Sequence, residues 1–269
     1  MSGNFIAGED SVLGTAFLRD GYVINQVEDM PALTRIRDKM AALAAGELGR
    51  PVPDTPQAFL DTIHKFVSID RLNEFRVALI GKINGEPWVR EAYYRLAEKA
   101  LHALVGNELA MQRRVNLSIQ LPADESSLLP AHADTWSGDS PFEVVLWLPL
   151  VDCFDTKSMF ILPPEVNARI APSLAKYENQ GVEALFREHE SQFRYLTVKY
   201  GQYLLFDQNL IHGNRINREA TTRWTFNCRF KGLFTPYADK KLGEFFEPIT
   251  LRPATRMGLA YRPPGNFHG

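Results

Sequence analysis

Near residue 110 the hydrophobic pattern of this chain changes period, and that change restricts the folds open to it. Before it, apolar residues recur at helical spacing: Leu33, Ile36, Met40, Leu43 and Ala44 form one stripe between Pro31 and Leu48. After it, Val115-Asn-Leu-Ser-Ile-Gln-Leu121 alternates apolar and polar, the pattern of a strand with one buried face. Thr222 to Phe230 alternates again. Helices followed by many short strands predict an α+β fold, with a double-sheet barrel covered by helices on one side. Jelly rolls and cupins have such a core and enclose a pocket between their sheets.

Local signals place the remaining elements. Gly21 to Asn25 reads as a short opening strand. A helix opens at Asp70, with Asp70 and Asn73 as candidate caps, and stops at Asn84-Gly85. Pro87 suits the first turn of another, running to about Val105. Val144 to Leu150, Met159 to Leu162 and Tyr203 to Phe206 read as buried strands. Glu165 to Tyr177 and Val182 to His189 are helical excursions between them, and the tail from Pro248 is expected to lack much regular structure. Without a clear linker, residues 1–269 read as one domain: a helical flank over 1–110, a β-core over 111–235 and a tail over 236–269.

Charge and composition exclude several classes. Thirty basic residues against thirty-two acidic ones leave a net charge of −2, which gives no electrostatic reason to expect nucleic acid or an anionic membrane as partner. No stretch approaches the ~18 apolar residues of a membrane span, and Met1 to Asp10 lacks the pattern of a signal peptide. Cys153 and Cys228 both sit among apolar residues and read as buried thiols. A soluble, cytoplasmic protein is expected.

The chemistry-bearing feature is His132-Ala-Asp134, just downstream of the alternating strand. Residues i and i+2 of an extended segment point to one face, so both side chains can reach one ion. His212, at the end of another apolar run, supplies a third ligand. Two histidines and one carboxylate with open positions suit non-haem Fe(II) chemistry, and they also describe catalytic zinc. His64, His102, His189 and His268 each stand alone and read as structural or exposed, His189 as solvated within Arg187-Glu-His-Glu190.

A ferrous oxygenase needs two further electrons, most commonly taken from 2-oxoglutarate, whose distal carboxylate needs a fixed cation. Arg223 follows His212 by eleven positions, one hairpin away, and is the candidate anchor. Arg229 on the same face, Lys157 on a neighbouring strand, and Asn116, Ser118 and Gln120 on the polar face of the first alternating strand are further candidate contacts. In the loop after the His-Ala-Asp pair, Trp136, Asp139 and Glu143 combine an aromatic surface with acceptors suited to a hydroxyl-rich or amine-bearing substrate.

Together these residues resemble the Fe(II)/2-oxoglutarate-dependent dioxygenases, most like the phytanoyl-CoA hydroxylase-related branch. The block from His132 to Glu143, with Leu146-Trp-Leu-Pro-Leu150 and Thr156-Lys-Ser-Met159, is similar to a bacterial subgroup associated with carbohydrate biosynthesis clusters. The resemblance covers about residues 112–231. It implies a double-stranded β-helix (jelly-roll or cupin-like) core with flanking N-terminal helices. It also implies iron held by His132, Asp134 and His212, with 2-oxoglutarate and O2 as co-substrates, and oxidation of an unactivated C–H bond in a small polar metabolite such as a sugar or nucleotide-sugar. Two other readings use the same ligands: a cupin-like metal-dependent hydrolase or isomerase, and a non-enzymatic β-barrel sugar-binding module. The hydrolase or isomerase has no use for Arg223 as a carboxylate anchor, and the binding module leaves the open coordination face unexplained.

Overall fold

A computed structural model describes residues 7–263. His268 and the first six residues of the Met1–Asp10 stretch lie outside the described residues. Ten strands are present among the described residues: β1 (Tyr22–Gln26), β2 (Leu109–Gln112), β3 (Asn116–Gln120), β4 (Glu143–Pro149), β5 (Phe160–Ile161), β6 (Arg194–Tyr195), β7 (Gln202–Asp207), β8 (His212–Gly213), β9 (Arg223–Gly232) and β10 (Phe246–Pro248). The helices are α1 (Gly8–Asp20), α2 (Met30–Glu47), α3 (Pro56–Asp61), α4 (Ile69–Asn84), α5 (Val89–Arg95), α6 (Glu98–Leu104), α7 (Pro164–Ile170), α8 (Val182–His189) and α9 (Pro253–Ala260), with short 3-10 turns between.

The strands form two antiparallel sheets. The larger runs β1-β7-β4-β9-β2-β10, and β3 pairs with β9 beside β2; the smaller runs β6-β5-β8. Strand β9 organises the larger sheet. One edge pairs with β4, from Glu143↔Lys231 to Pro149↔Thr225. The other edge pairs first with β3, through Asn116↔Asn227 and Gln120↔Arg223, and then with β2, through Met111↔Phe230. Between Met111 and Asn116 the β2–β3 chain carries two more residues than β9 does from Asn227 to Phe230, so it bulges at Arg113–Arg114. Side chains satisfy the groups this frees. The backbone N–H of Arg229 donates to Gln112 Oε1 at 3.3 Å, and Asn84 at the end of α4 bonds both backbone groups of Val115, at 2.8 and 2.9 Å.

Alternation along β9 divides the molecule. Trp224, Phe226, Cys228 and Phe230 are fully buried in the main core, against Leu33, Ile36 and Met40 of α2 and Leu72, Phe75 and Leu79 of α4. Full burial stabilises by about 1.5–3 kcal/mol for each large apolar side chain, enough to fix the strand's register. Arg223, Asn227 and Arg229 point the other way, into a cavity of about 730 Å³. The smaller sheet packs on that same side through Val145, Trp147, Ile161, Leu204 and Phe206.

Several elements differ from the sequence expectations. The helix expected from Pro87 to Val105 is two helices, because Ala97 is non-helical and the carboxylate of Glu28 caps the second through the N–H groups of Lys99 and Ala100. Helix α4 begins after Ser68, so Asp70 and Asn73 lie inside it and do not cap it. Glu165 to Tyr177 is α7 followed by a 3-10 helix. The tail carries α9, and α1, α3, β2 and β10 add to the expected set. Strand β2 is buried at all four positions and so has no alternation to read. Cys153 and Cys228 are buried and free. No helix among the described residues is long and apolar enough to cross a membrane.

The Asn84 bridge is open to test. Asn84→Ala removes the partners of both Val115 backbone groups, at an expected cost of about 1–3 kcal/mol. Urea unfolding should show a lower midpoint with an unchanged slope.

Candidate metal centre

The two histidines are set by the same local device. In each, Nδ1 lies against the carbonyl two residues earlier: His132 on Pro130 at 2.7 Å and His212 on Leu210 at 2.8 Å. A carbonyl only accepts, so Nδ1 carries the proton and Nε2 is left as the free donor atom. The two segments are joined by reciprocal backbone hydrogen bonds, His132 N–H to His212 O at 2.9 Å and His212 N–H to His132 O at 2.8 Å. Both Nε2 atoms then face Asp134 Oδ1, at 3.3 Å from His132 and 3.7 Å from His212. Extended backbone at Ala133 places Asp134 on the same side as His132. One ligand atom from each of the three residues lies within 4.8 Å of the others, close enough for one ion to meet all three.

Electrostatics leave the trio ready for a cation. Burial works against the charge on Asp134, but the hydrogen bond from His132 and the nearby His212 and Arg229 hold its carboxyl well below the usual range. Burial and the neighbouring His132 push His212 down to about 4, so it is neutral near pH 7. His132 moves up: burial opposes protonation, but the hydrogen bonds to Asp134 and Pro130 outweigh it.

Arg229 and Arg223 share one face of β9 but have different partners. Arg229 donates to Asp134 Oδ2 at 2.6 Å and to Gln208 Oε1 at 3.0 Å, and its Nε lies 3.1 Å from Asp139. It therefore ties up one carboxylate oxygen of Asp134 and leaves the other toward the histidines. Arg223 is buried and has no carboxylate within 4 Å among the described residues; its one hydrogen bond goes to Ser118 Oγ at 2.9 Å. Burial lowers it to about 10, which keeps it cationic near pH 7. Its Nε and the hydroxyl of Thr225, two residues along the same face, are buried without partners. Leaving such groups unsatisfied costs about 1–3 kcal/mol each. Arg223 lines the cavity, so a carboxylate bound there would meet its charge, and the residues present fit an anionic chelator.

The other candidates sort by position. Asn116 lines the cavity and donates to Asn227 at 3.0 Å. Gln120 is fully buried, and its amide donates to the Arg215 carbonyl at 2.6 Å. Lys157 ends a 3-10 turn, not a strand, and does not face the cavity; its Nζ is 2.7 Å from both Asp61 and Thr221, where it ties α3 to the start of β9. Asp139 and Glu143 are not on the cavity wall either. Asp139 is buried between Arg229 and Lys240, and Glu143 accepts from Ser140 N–H and Gln208. A buried carboxylate needs such partners, which takes both out of reach of a substrate. Trp136 is 47% exposed, in the turn that starts at Asp134. His189 is not solvated: Tyr177 and Gln192 each lie 3.0 Å from its ring. His64 bonds Thr222 and His102 bonds Tyr94.

Sequence reasoning missed one wall of the cavity. Helix α4 contributes Ile69, Asn73 and Arg76, and the loop at 126–129 also lines the cavity. Asn214, two residues past His212, holds that loop by accepting from Leu129 N–H at 2.6 Å. The helical spacing of Ile69, Asn73 and Arg76 was readable, but nothing local marked that face as a cavity wall.

No family model and no curated protein matches this sequence. Solved structures do resemble the fold. HygX from Streptomyces hygroscopicus with nickel and 2-oxoglutarate bound is similar at a TM-score of 0.54 and 13% identity, over 88% of this chain and 90% of that one. EctD from S. alaskensis with 2-oxoglutarate and 5-hydroxyectoine gives 0.51 and 19%, over 86% and 78%. The nickel complex of the non-haem monooxygenase ThoJ gives 0.50 and 15%, over 90% and 85%. The chain thus has the double-stranded β-helix fold of non-haem iron oxygenases, with a His132–Asp134–His212 group of the matching type.

Two measurements probe the centre. Near pH 6, His132 holds its proton while His212 and Asp134 do not, so binding Ni(II) should release about one proton. Calorimetry in buffers of different ionisation heat reads that number; release of two would contradict the lowered His212. Gly213→Ala would bring a Cβ to 2.5 Å from the Leu129 carbonyl and 2.9 Å from that of Pro130. The shift this forces should break the His132–His212 bridge, destabilise the fold by about 1–3 kcal/mol, and weaken Ni(II) affinity by about tenfold or more.

Proposed function

We propose that this chain is an Fe(II)/2-oxoglutarate-dependent oxygenase acting on an unactivated C–H bond of a small polar metabolite. The observation that carries the reading is Arg223, a buried guanidinium with no acid beside it, opening into the cavity that holds the His132–Asp134–His212 group. A metal-dependent hydrolase has no co-substrate carboxylate for that cation to hold. On this reading residues 1–269 form a single oxygenase domain. A reducing, cytoplasmic location goes with it, as Cys153 and Cys228 are free thiols.

Ferrous iron with 2-oxoglutarate and O2 supplies the oxidising chemistry, at the expense of the keto acid, which leaves as succinate and CO2. The chain's own residues do the positioning. His132 and His212 present Nε2 because their Nδ1 protons are committed to backbone carbonyls. Asp134 presents one oxygen because Arg229 holds the other. Arg223 pairs with the distal carboxylate of the co-substrate, and the hydroxyl of Ser118, already bonded to Arg223, stands beside it. Asn116 and Asn227 lie between Arg223 and Arg229 and offer amide groups to the keto-acid end. The apolar walls at Val145, Trp147, Met159 and Phe206 keep water from that end of the cavity.

The proposed substrate class is a sugar or nucleotide-sugar. The block from His132 to Glu143, which resembles a carbohydrate-associated subgroup, supports this, with Trp136 kept as a substrate contact because it is exposed two residues beyond Asp134. Hygromycin B in a HygX structure and 5-hydroxyectoine in an EctD structure are bound by proteins of the same fold.

An anaerobic titration tests the reading. Fe(II) followed by 2-oxoglutarate should give the visible charge-transfer band of a chelated keto acid. Without that band in the wild-type protein, the oxygenase reading falls. Arg223→Ala should weaken 2-oxoglutarate by about tenfold or more, the loss expected for a charged hydrogen-bond pair, while Fe(II) affinity stays within about twofold.

A further inference from the structure

The cavity contains one more cation, which neither the metal group nor the proposed co-substrate uses. Arg76 of α4 lines it, half-buried, on the stripe formed with Ile69 and Asn73. Its guanidinium donates to Asn73 Oδ1 at 2.8 Å, one turn back on the same helix, and among the described residues no carboxylate lies within 4 Å of it. Arg229, by contrast, is paired with both Asp134 and Asp139. The contrast with exposed neighbours on α4 also matters: Arg71 has Glu74 at 3.8 Å. Arg76 is therefore an oriented cation with unused donors, facing a space large enough for a metabolite.

Its surroundings select the sign of the ligand. The nearby polar groups on the wall are neutral: Asn73, Asn116 and Ser127, whose hydroxyl makes no hydrogen bond among the described residues. The acid on this wall is Asp70, fully exposed and six residues back, about 9 Å along the helix. Among the described residues no ion pair joins Asp70 to Arg76, and at that separation water screens the exposed carboxylate, so the free edge of the guanidinium is left positive.

We propose that Arg76 anchors an anionic group of the primary substrate, a phosphate monoester or a carboxylate, at the outer end of the cavity. A guanidinium with a free edge binds either oxyanion through paired N–H···O bonds. Arg223 is the fully buried cation and Arg76 the half-buried one, so co-substrate and substrate would each meet their own arginine. The proposal deepens the oxygenase reading by naming the substrate as an acidic metabolite, and it rests on that reading only for the division of labour between the two arginines.

The test is an arginine side-chain NMR titration of the metal-free protein with inorganic phosphate and, separately, with acetate. Each series is run with and without saturating 2-oxoglutarate. The Arg76 signal is assigned by its loss in Arg76→Lys. Phosphate or acetate should shift Arg76 whether or not 2-oxoglutarate is present, and Arg76→Gln should raise the dissociation constant at least about tenfold. Arg71→Gln, which removes the same charge from the same helix outside the cavity, should leave that constant unchanged. The stronger of the two anions identifies the group. If neither anion shifts Arg76, or if Arg71→Gln weakens binding as much as Arg76→Gln, the anchor does not exist. The oxygenase reading is tested separately, in the Fe(II)-loaded protein: if Arg76 answers to phosphate but Fe(II) and 2-oxoglutarate give no charge-transfer band, the oxygenase reading is lost and this one is kept.

Discussion

Everything about this site depends on the register of β9 between β4 and β3. One face of that strand carries Trp224, Phe226, Cys228 and Phe230, and their burial against α2 and α4 holds the larger sheet to the helical layer. The other face carries Arg223, Thr225, Asn227 and Arg229, and of these Arg223, Asn227 and Arg229 line the cavity. The two sets cannot be exchanged. A slip of one residue would drive guanidinium groups into an apolar core and bring aromatic rings into the cavity, at a cost far above the net stability of a domain. Arg223, Asn227 and Arg229 are thus held toward the cavity by apolar packing on the other side of a single strand.

Within the cavity, charge is handled in two ways. At Arg229 each charge is answered by a neighbour: Asp134 and Asp139 flank the guanidinium, and Lys240 closes the chain at Asp139. That arrangement suits a part whose task is to keep one ligand oxygen in place. At Arg223 the charge is left open, together with the hydroxyl of Thr225. Burying a cation without an acid costs stability that nothing within the chain returns. An open cation in the cavity that also holds the candidate ligands His132, Asp134 and His212 is what an anionic chelator would complete, which is why the functional reading rests there.

Much of this was legible in local pattern. Period two at Val115–Leu121 and Thr222–Phe230 identified β3 and β9, and residue chemistry singled out His132, Asp134, His212 and Arg223. Legibility failed where a side chain's partner is remote in sequence. Asp139 and Glu143 looked available to a substrate because the groups that bury them, Arg229, Lys240 and Gln208, lie 65 or more positions further along. Lys157 looked like a free cation until Asp61 of α3 was found against it. The break between α5 and α6 has the same origin, since the carboxylate that caps α6 belongs to Glu28.

The sequence alone determined the alternation of β9, the ligand types of the metal group and the α+β order of elements, because periodicity and side-chain chemistry are local properties of the chain. Only the tertiary structure decided which of the cavity's cations are already paired, and that helix α4 from the N-terminal half supplies Arg76 to the same cavity. Pairing is a matter of distances between segments far apart in sequence, and a charge written in the chain carries no record of which neighbour will neutralise it.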